Sequence, residues 1–291
     1  MIVKFLLFIL ALLVVYIPDV IASECNEPGN NDYVICEDWD IGTPTEGDCG
    51  TFPCDEPGTN KGQGISWHDW TNGTYCVDGG CDGSEITTSK YYSSPHSYKI
   101  QFNPGTEYAV PDTKHTFPST QNVSIRFYVL LETPMTGADV CHHFLFFNTA
   151  SAANFSIDWR QQWEKRWPPP DPYPGSFLVL HTYSGSNWVG PNFNFNEHLN
   201  EWVCVEMHYN FQTEQMVWYI NGEEMLTREW HTPVTEVHSL IISGFECVEI
   251  NQVRTFYLDN IVVRTDGGYI GPFGSGDKIP PNPPKKLRVI E

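Results

Sequence analysis

Between Trp202 and Gly222 apolar and polar positions alternate with a period of two. In Trp-Val-Cys-Val-Glu-Met-His-Tyr-Asn-Phe, the residues Val203, Val205, Met207 and Tyr209 share one face, and Glu206, His208 and Asn210 share the other. A polar break from Gln212 to Gln215 leads into Met-Val-Trp-Tyr-Ile-Asn-Gly, which predicts a β-hairpin. Its closing pair, Asn221-Gly222, tolerates positive φ and marks a turn. The same period recurs over Val123 to Leu131, with Ile125, Phe127, Val129 and Leu131 inward and Arg126 and Tyr128 outward. It recurs again over Phe177 to Tyr183, with Leu178 and Leu180 opposed to Val179, His181 and Tyr183. Cys141 to Asn148 is another strand, where His142 and His143 are adjacent, so one of them faces outward. Strand character is also present from Tyr33 to Gly42, Tyr91 to Phe102, Asn154 to Trp159, Ser239 to Phe245 and Phe256 to Arg264. No long stretch has helical periodicity. On the order of ten strands predict an all-β chain of two packed antiparallel sheets.

The intervening segments set the boundaries. From Thr43 to Asp82, Gly, Pro, Asp and Asn dominate, giving a long excursion that carries Trp67, His68, Asp69 and Trp70. The prolines between Trp163 and Pro174 exclude a central strand and predict a stiff, extended loop. Gly and Pro dominate again from Gly267, and Pro280 to Pro284 reads as an exposed tail or linker. At the other end, Lys4, the apolar run Phe5 to Tyr16 and the site Val20-Ile21-Ala22 read as a secretory signal peptide cleaved after Ala22. The expected organisation is therefore a signal over 1–22, a sandwich over 23–266 with a Cys/Gly/Pro-rich insertion over 43–82, and a tail over 267–291. A chain of 291 residues suffices for one large all-β domain. The mature protein is expected to be secreted, or periplasmic in a bacterium, with no membrane span.

Charge and cysteine content narrow the partners. With 16 Lys plus Arg against 36 Asp plus Glu, the chain repels nucleic acid and anionic membranes. Nine cysteines in an exported chain read as disulfides. Six of them, Cys25, Cys36, Cys49, Cys54, Cys76 and Cys81, crowd the N-terminal part, while Cys141, Cys204 and Cys247 are scattered. The spacings Cys49-x4-Cys54 and Cys76-x4-Cys81 also admit zinc, but no paired histidines accompany them. The sequence leaves the disulfide connectivity open.

Several segments resemble strands of concanavalin A-like jelly rolls: Glu37-Asp-Trp-Asp-Ile-Gly42 and Ser94-Pro-His-Ser-Tyr-Lys-Ile100 the early ones, Trp202-Val-Cys-Val-Glu206, Trp218-Tyr-Ile-Asn-Gly222 and Tyr257-Leu-Asp-Asn-Ile-Val-Val263 the later ones. That superfamily includes lectins, laminin-G-like modules, glycoside hydrolases and polysaccharide lyases. The resemblance implies a jelly-roll β-sandwich with a carbohydrate-facing groove on its concave sheet. Activity must be argued from the site itself.

Four chemistries can be set against the outward positions. Glycoside hydrolysis needs two carboxylates across the scissile bond, and the Glu-x-Asp-x-x-Glu strand of jelly-roll glucanases is absent. β-Elimination on a uronic-acid polymer needs a cation for the uronate and a His or Tyr to move the proton. Arg126, His181, Tyr183 and His208 supply those groups, although the Arg-Thr/Ser-Glu-Leu, Gln-x-His and Tyr-Phe-Lys-Ala-Gly motifs of alginate lyases are missing. Non-catalytic sugar binding is the leading expectation. It would use the rings of Trp159, Trp163, Trp167 and Trp188, with Tyr128, His142 and Glu206 as polar contacts. Tyr173 joins the same aromatic cluster. If their strands are neighbours, Arg126, Tyr128, His181, Tyr183, Glu206 and His208 form one patch, and a structural or adhesive module remains the third class. Asp38 and Asp40, with Asp259 in the closing strand, could converge on a structural calcium; no other cofactor is expected. Three sequons, at Asn72, Asn122 and Asn154, permit glycosylation in a glycosylating host.

Overall fold

The computed structural model describes residues 33–37, 71–72, 85–92, 96–102, 108–135, 141–149, 155–160, 175–182, 187–246 and 253–273. Their order begins with β1 (Tyr33–Glu37), β2 (Thr71–Asn72), β3 (Glu85–Thr87), β4 (Ser97–Phe102), β5 (Tyr108–Thr120), β6 (Asn122–Leu131) and β7 (Cys141–Thr149). It continues with β8 (Phe155–Arg160), β9 (Phe177–Thr182), β10 (Asn187–Val189), a single 3₁₀ turn (Phe195–His198) and β11 (Trp202–Asn210). The last strands are β12 (Gln215–Ile220), β13 (Glu223–Glu229), β14 (Val237–Glu246) and β15 (Arg254–Arg264). These strands form two antiparallel sheets, as the alternation predicts. The first runs β13-β12-β11-β6-β15-β4-β3, with β1 also on β15; the second runs β10-β9-β8-β7-β14-β5-β2.

The period-two assignments hold on both sides of the sandwich. Ile125, Phe127, Val129, Val203, Val205, Met207, Trp218 and Leu258 from the first sheet meet Leu145, Ile157, Leu178, Leu180 and Leu240 from the second in one core. Burying each such side chain contributes about 1.5–3 kcal/mol, and the cross-strand pairing makes every strand add to the same layer. Trp159 belongs to that core. Its ring is fully buried and stands edge-on to Phe195 and Phe256 at 5.0 and 5.8 Å.

The hairpin predicted around Trp202 to Gly222 is β11–β12, with Val205 opposite Ile220 and Met207 opposite Trp218. Asn221 and Gly222, at φ 51° and 82°, then turn the chain into β13. Both left-handed residues are needed there, because their twist matches that of the flanking strands. One irregularity matters for the site. Between Asp259 and Val262 the β15–β6 register shifts, and Asn260 sits at φ 53°. Such a bulge lets Leu258 and Val263 both face the core while Asn260 is re-aimed away from the ladder.

The N-terminal excursion falls almost wholly outside the described residues. Cys36 is disulfide-bonded, and Cys204 is buried in β11. Cys25, Cys49, Cys54, Cys76, Cys81 and Cys247 lie outside the described residues. Among the described residues no helix is long and apolar enough to cross a membrane.

Candidate functional site

The expected single patch is divided between two sheets. Arg126, Tyr128, Glu206 and His208 project from β6 and β11, on the outer face of the first sheet. His181 projects from β9, on the outer face of the second. Period two gives each strand's polar face correctly but does not say which sheet a strand joins, so the grouping of His181 with Arg126 is corrected.

On the first sheet the polar groups are engaged by the chain itself. Arg126 and Glu206 are cross-strand partners, 0% and 1% exposed. The residues after β15, the start of the expected tail, return across this face. The Glu206 carboxylate accepts N–H bonds from Ile270 and Gly271 at 2.7 and 2.8 Å and also contacts His208 Nε2. Arg126 donates from Nη1 to the Gly271 carbonyl at 3.0 Å and from Nη2 to Asn260 Oδ1 at 3.1 Å. The bulge at Asn260 thus supplies a guanidinium acceptor that regular pairing would not have placed there. Tyr269 packs edge-on to Tyr219 at 4.9 Å. Burial pushes the Tyr219 phenol up to about 12, helped by the charges of Glu224 and Glu206, and pushes Tyr269 upward for the same leading reason.

A second return segment seals the other half of this face. Tyr92 stacks on Tyr128 at 3.6 Å, and Tyr128 Oη accepts the Phe273 N–H at 2.6 Å. Burial drives the Tyr128 phenol far above its ordinary value, followed by the influence of Cys204 and opposed by Arg126. Lys90 bridges Glu132 and Asn200 at 2.7 and 2.8 Å. Burial acts to raise the Glu132 carboxyl, but the bonds from Lys90 and Tyr257 and the charges of Lys90 and Lys99 together hold the group below its usual value. Arg126, Tyr128 and Glu206 therefore do not line an accessible groove, and Trp159, being core, does not stack on a sugar.

The second sheet carries a different arrangement. On β8, Phe155, Ile157 and Trp159 point into the core, so Ser156, Asp158 and Arg160 point outward. Ser156 pairs with His181, and His181 with Trp188, which sets three residues in a row across β8, β9 and β10. Asp158 is fully buried, and its Oδ2 lies 3.0 Å from both Arg160 Nη2 and His181 Nδ1. The Arg160 guanidinium also covers the Trp188 ring at 5.3 Å. A buried carboxylate is tolerable when cationic or N–H donors satisfy it, and here two side chains do so. His181 Nδ1 also lies 3.5 Å from Arg160 Nη2, but it cannot donate to Asp158 and accept from Arg160 at once. The shorter carboxylate contact sets Nδ1 as the protonated nitrogen.

Among the described residues, two polar atoms of this face, Ser156 Oγ and Arg160 Nε, are buried without a hydrogen-bond partner. Such orphans are uncommon in folded proteins and here lie beside an oriented imidazole. The side chains of Arg160 and His181 are 14% and 10% exposed. Asp158, Arg160 and Ser156 were not singled out from the sequence. The signal was available, since the phase of Phe155, Ile157 and Trp159 assigns the intervening residues to the outer face.

Tyr183, Trp163, Trp167, Tyr173, Asp38 and Asp40 lie outside the described residues. His142 is paired through its backbone with Trp159, and His143 with Asp158. Asp259 is buried, and its Oδ2 accepts the Tyr92 N–H at 2.7 Å. Among the described residues no three His, Cys, Asp or Glu groups gather as a metal site.

No family model matches the chain, and no curated protein matches it in sequence. Solved structures do. The cellulose-induced protein Cip1 superposes with a TM-score of 0.50 at 14% identity, over 69% of this chain and 94% of that one. The structure described as "Cell entry of botulinum neurotoxin type C is dependent upon interaction with two ganglioside molecules" gives a TM-score of 0.49 at 9% identity, over 81% of this chain and 48% of that one. At 14% identity the likeness to Cip1 speaks for the fold alone, a jelly-roll β-sandwich.

Proposed function

We propose that this chain is an exported, concanavalin A-like jelly roll that binds a polysaccharide on the outer face of the second sheet, at Arg160, His181 and Trp188. The observation that carries the reading is the cluster in which buried Asp158 holds both Arg160 and His181 at 3.0 Å, beside the half-buried Trp188 ring. An indole face offers apolar area to pyranose C–H groups, while a guanidinium and an imidazole offer directional bonds to hydroxyls or carboxylates. The orphaned Ser156 Oγ and Arg160 Nε add polar capacity that a ligand oxygen would satisfy.

A second reading, polysaccharide lyase, is favoured by the Asp158–His181 contact. A carboxylate on Nδ1 fixes the tautomer in which Nε2 can take a proton. Elimination would remove the proton α to the uronate carboxylate. The released electron pair becomes a C=C bond, and the glycosidic oxygen leaves and is protonated. Arg160 would stabilise the charge that builds on the carboxylate.

Incubation with a panel of neutral and uronic polysaccharides separates these readings. Pull-down reports binding, and growth of ultraviolet absorbance from an unsaturated product reports elimination. Retention on at least one polymer without absorbance growth is the expected result. Folded protein that retains none of them overturns the proposal, and absorbance growth replaces it with the lyase.

A further inference from the structure

The first sheet's outer face is occupied by residues 267–273, and the way they are held differs from the way the sandwich is held. Their apolar anchor is Ile270, which packs with Cys36 and Val262, and with Tyr33 alongside, in a small cluster separate from the main core. Polar ties do the rest. Ile270 and Gly271 present consecutive N–H groups to one carboxylate, and Gly271 is at φ 79°. Consecutive amides around a left-handed residue form a concave anion-binding nest, a conformation glycine reaches without strain. The anion in this nest is the Glu206 side chain. Arg126 fixes the Gly271 carbonyl from the other side, and Phe273 N–H bonds Tyr128. The segment leaves β15 through a turn in which Asp266 accepts bonds from Arg264 Nε and Gly268 N at 2.9 and 3.0 Å. The Arg264 bond, the largest influence, holds the Asp266 carboxyl below its ordinary value.

We propose that residues 267–273 are a latch that opens as one unit about the Asp266–Gly268 turn, and that the Glu206 carboxylate is the clip that keeps it closed. The latch contributes no strand to either sheet, so opening it leaves every ladder bond intact. What it uncovers is Arg126 and Glu206, beside His208, a charged face that closure hides. This inference does not depend on the carbohydrate reading.

Amide hydrogen exchange read by mass spectrometry on the full chain tests the latch. In the wild type, peptides over 267–273 should exchange at least about tenfold faster than those of β6, β11 and β15, because local opening costs less than global unfolding. In Glu206→Gln the side chain keeps one acceptor oxygen but loses the charge that the nest holds. Exchange over 267–273 should rise by a further factor of about ten, with the strands unchanged. Latch and strand peptides that exchange at one common rate in the wild type would overturn the proposal. So would a folded Glu206→Gln protein whose 267–273 exchange is unaltered. If that variant fails to fold, the wild-type comparison alone decides.

Discussion

The two outer faces of this sandwich are built from the same residue types and end in opposite conditions. On the first sheet, Arg126 and Glu206 are engaged by backbone groups of residues 270 and 271 and by Asn260, and His208 contacts Glu206. On the second, Asp158, Arg160 and His181 bind one another. A carboxylate, a guanidinium and an imidazole on a strand face therefore do not by themselves mark a site. What distinguishes the faces is the identity of the partner: main chain in one case, side chains poised beside a half-buried indole in the other.

The largest expected effect breaks the comparison on its closed side. Replacing Arg126 with Ala removes the donor to the Gly271 carbonyl and Asn260 Oδ1 and the cation that lies across the strands from the buried Glu206 carboxylate. Denaturant unfolding should show a loss of about 3–5 kcal/mol, as for other broken buried charge networks. An Arg126→Ala protein as stable as the wild type would mean that the face is not sealed by this network.

On the second sheet, His181→Ala leaves buried Asp158 with Arg160 alone, so it should lower stability by about 1–3 kcal/mol and also weaken glycan retention by the protein that stays folded. If the chain turns over a uronic polymer, the rate should fall on the order of a hundredfold or more. Trp188→Ala should cost binding roughly 0.5–1.5 kcal/mol beyond the lost contact area, measured by calorimetry. Loss of fold in either variant, rather than of binding, would class this face with the other as structural.

A smaller effect is expected at the hairpin turn. Asn221 adopts φ 51°, and a Cβ-bearing residue without a short polar side chain is strained there. Asn221→Ala should lose about 1–2 kcal/mol, with no change in glycan binding. The smallest effect concerns alkaline stability. The fold favours the neutral Tyr219 phenol, whose value is pushed to about 12, while the unfolded phenol titrates near its ordinary 10. Its contribution is thus whole below about pH 10 and is lost as the pH rises towards about 12, where the unfolded chain has already released the proton. Tyr219→Phe should flatten that limb of the stability profile, and an unchanged slope would contradict the assignment.

The sequence made the strands legible because their alternation is local. The phases of Val123 to Leu131, Phe177 to His181 and the Trp202 hairpin follow from side-chain period alone, and the structure keeps them. Sheet membership is not local. β6 pairs with β11 from far along the chain, while β9, between them in sequence, belongs to the opposite sheet. That is why His181 was grouped with Arg126. Trp159 looked like a binding ring because its segment was read for aromatic content rather than for phase. The latch was hidden for a different reason. Gly and Pro from 267 onward read as a linker, and nothing in local composition shows that Glu206 will receive two of its amides.

The outer face of the second sheet is the proposed ligand face. Affinity electrophoresis through gels containing the polysaccharide retained by the wild type tests this directly, with a His181→Ala/Trp188→Ala variant run beside His208→Ala. The first should migrate as though no polysaccharide were present, and the second should be retarded as the wild type is. Retardation kept by the first and lost by the second would place the ligand on the first sheet and contradict the account.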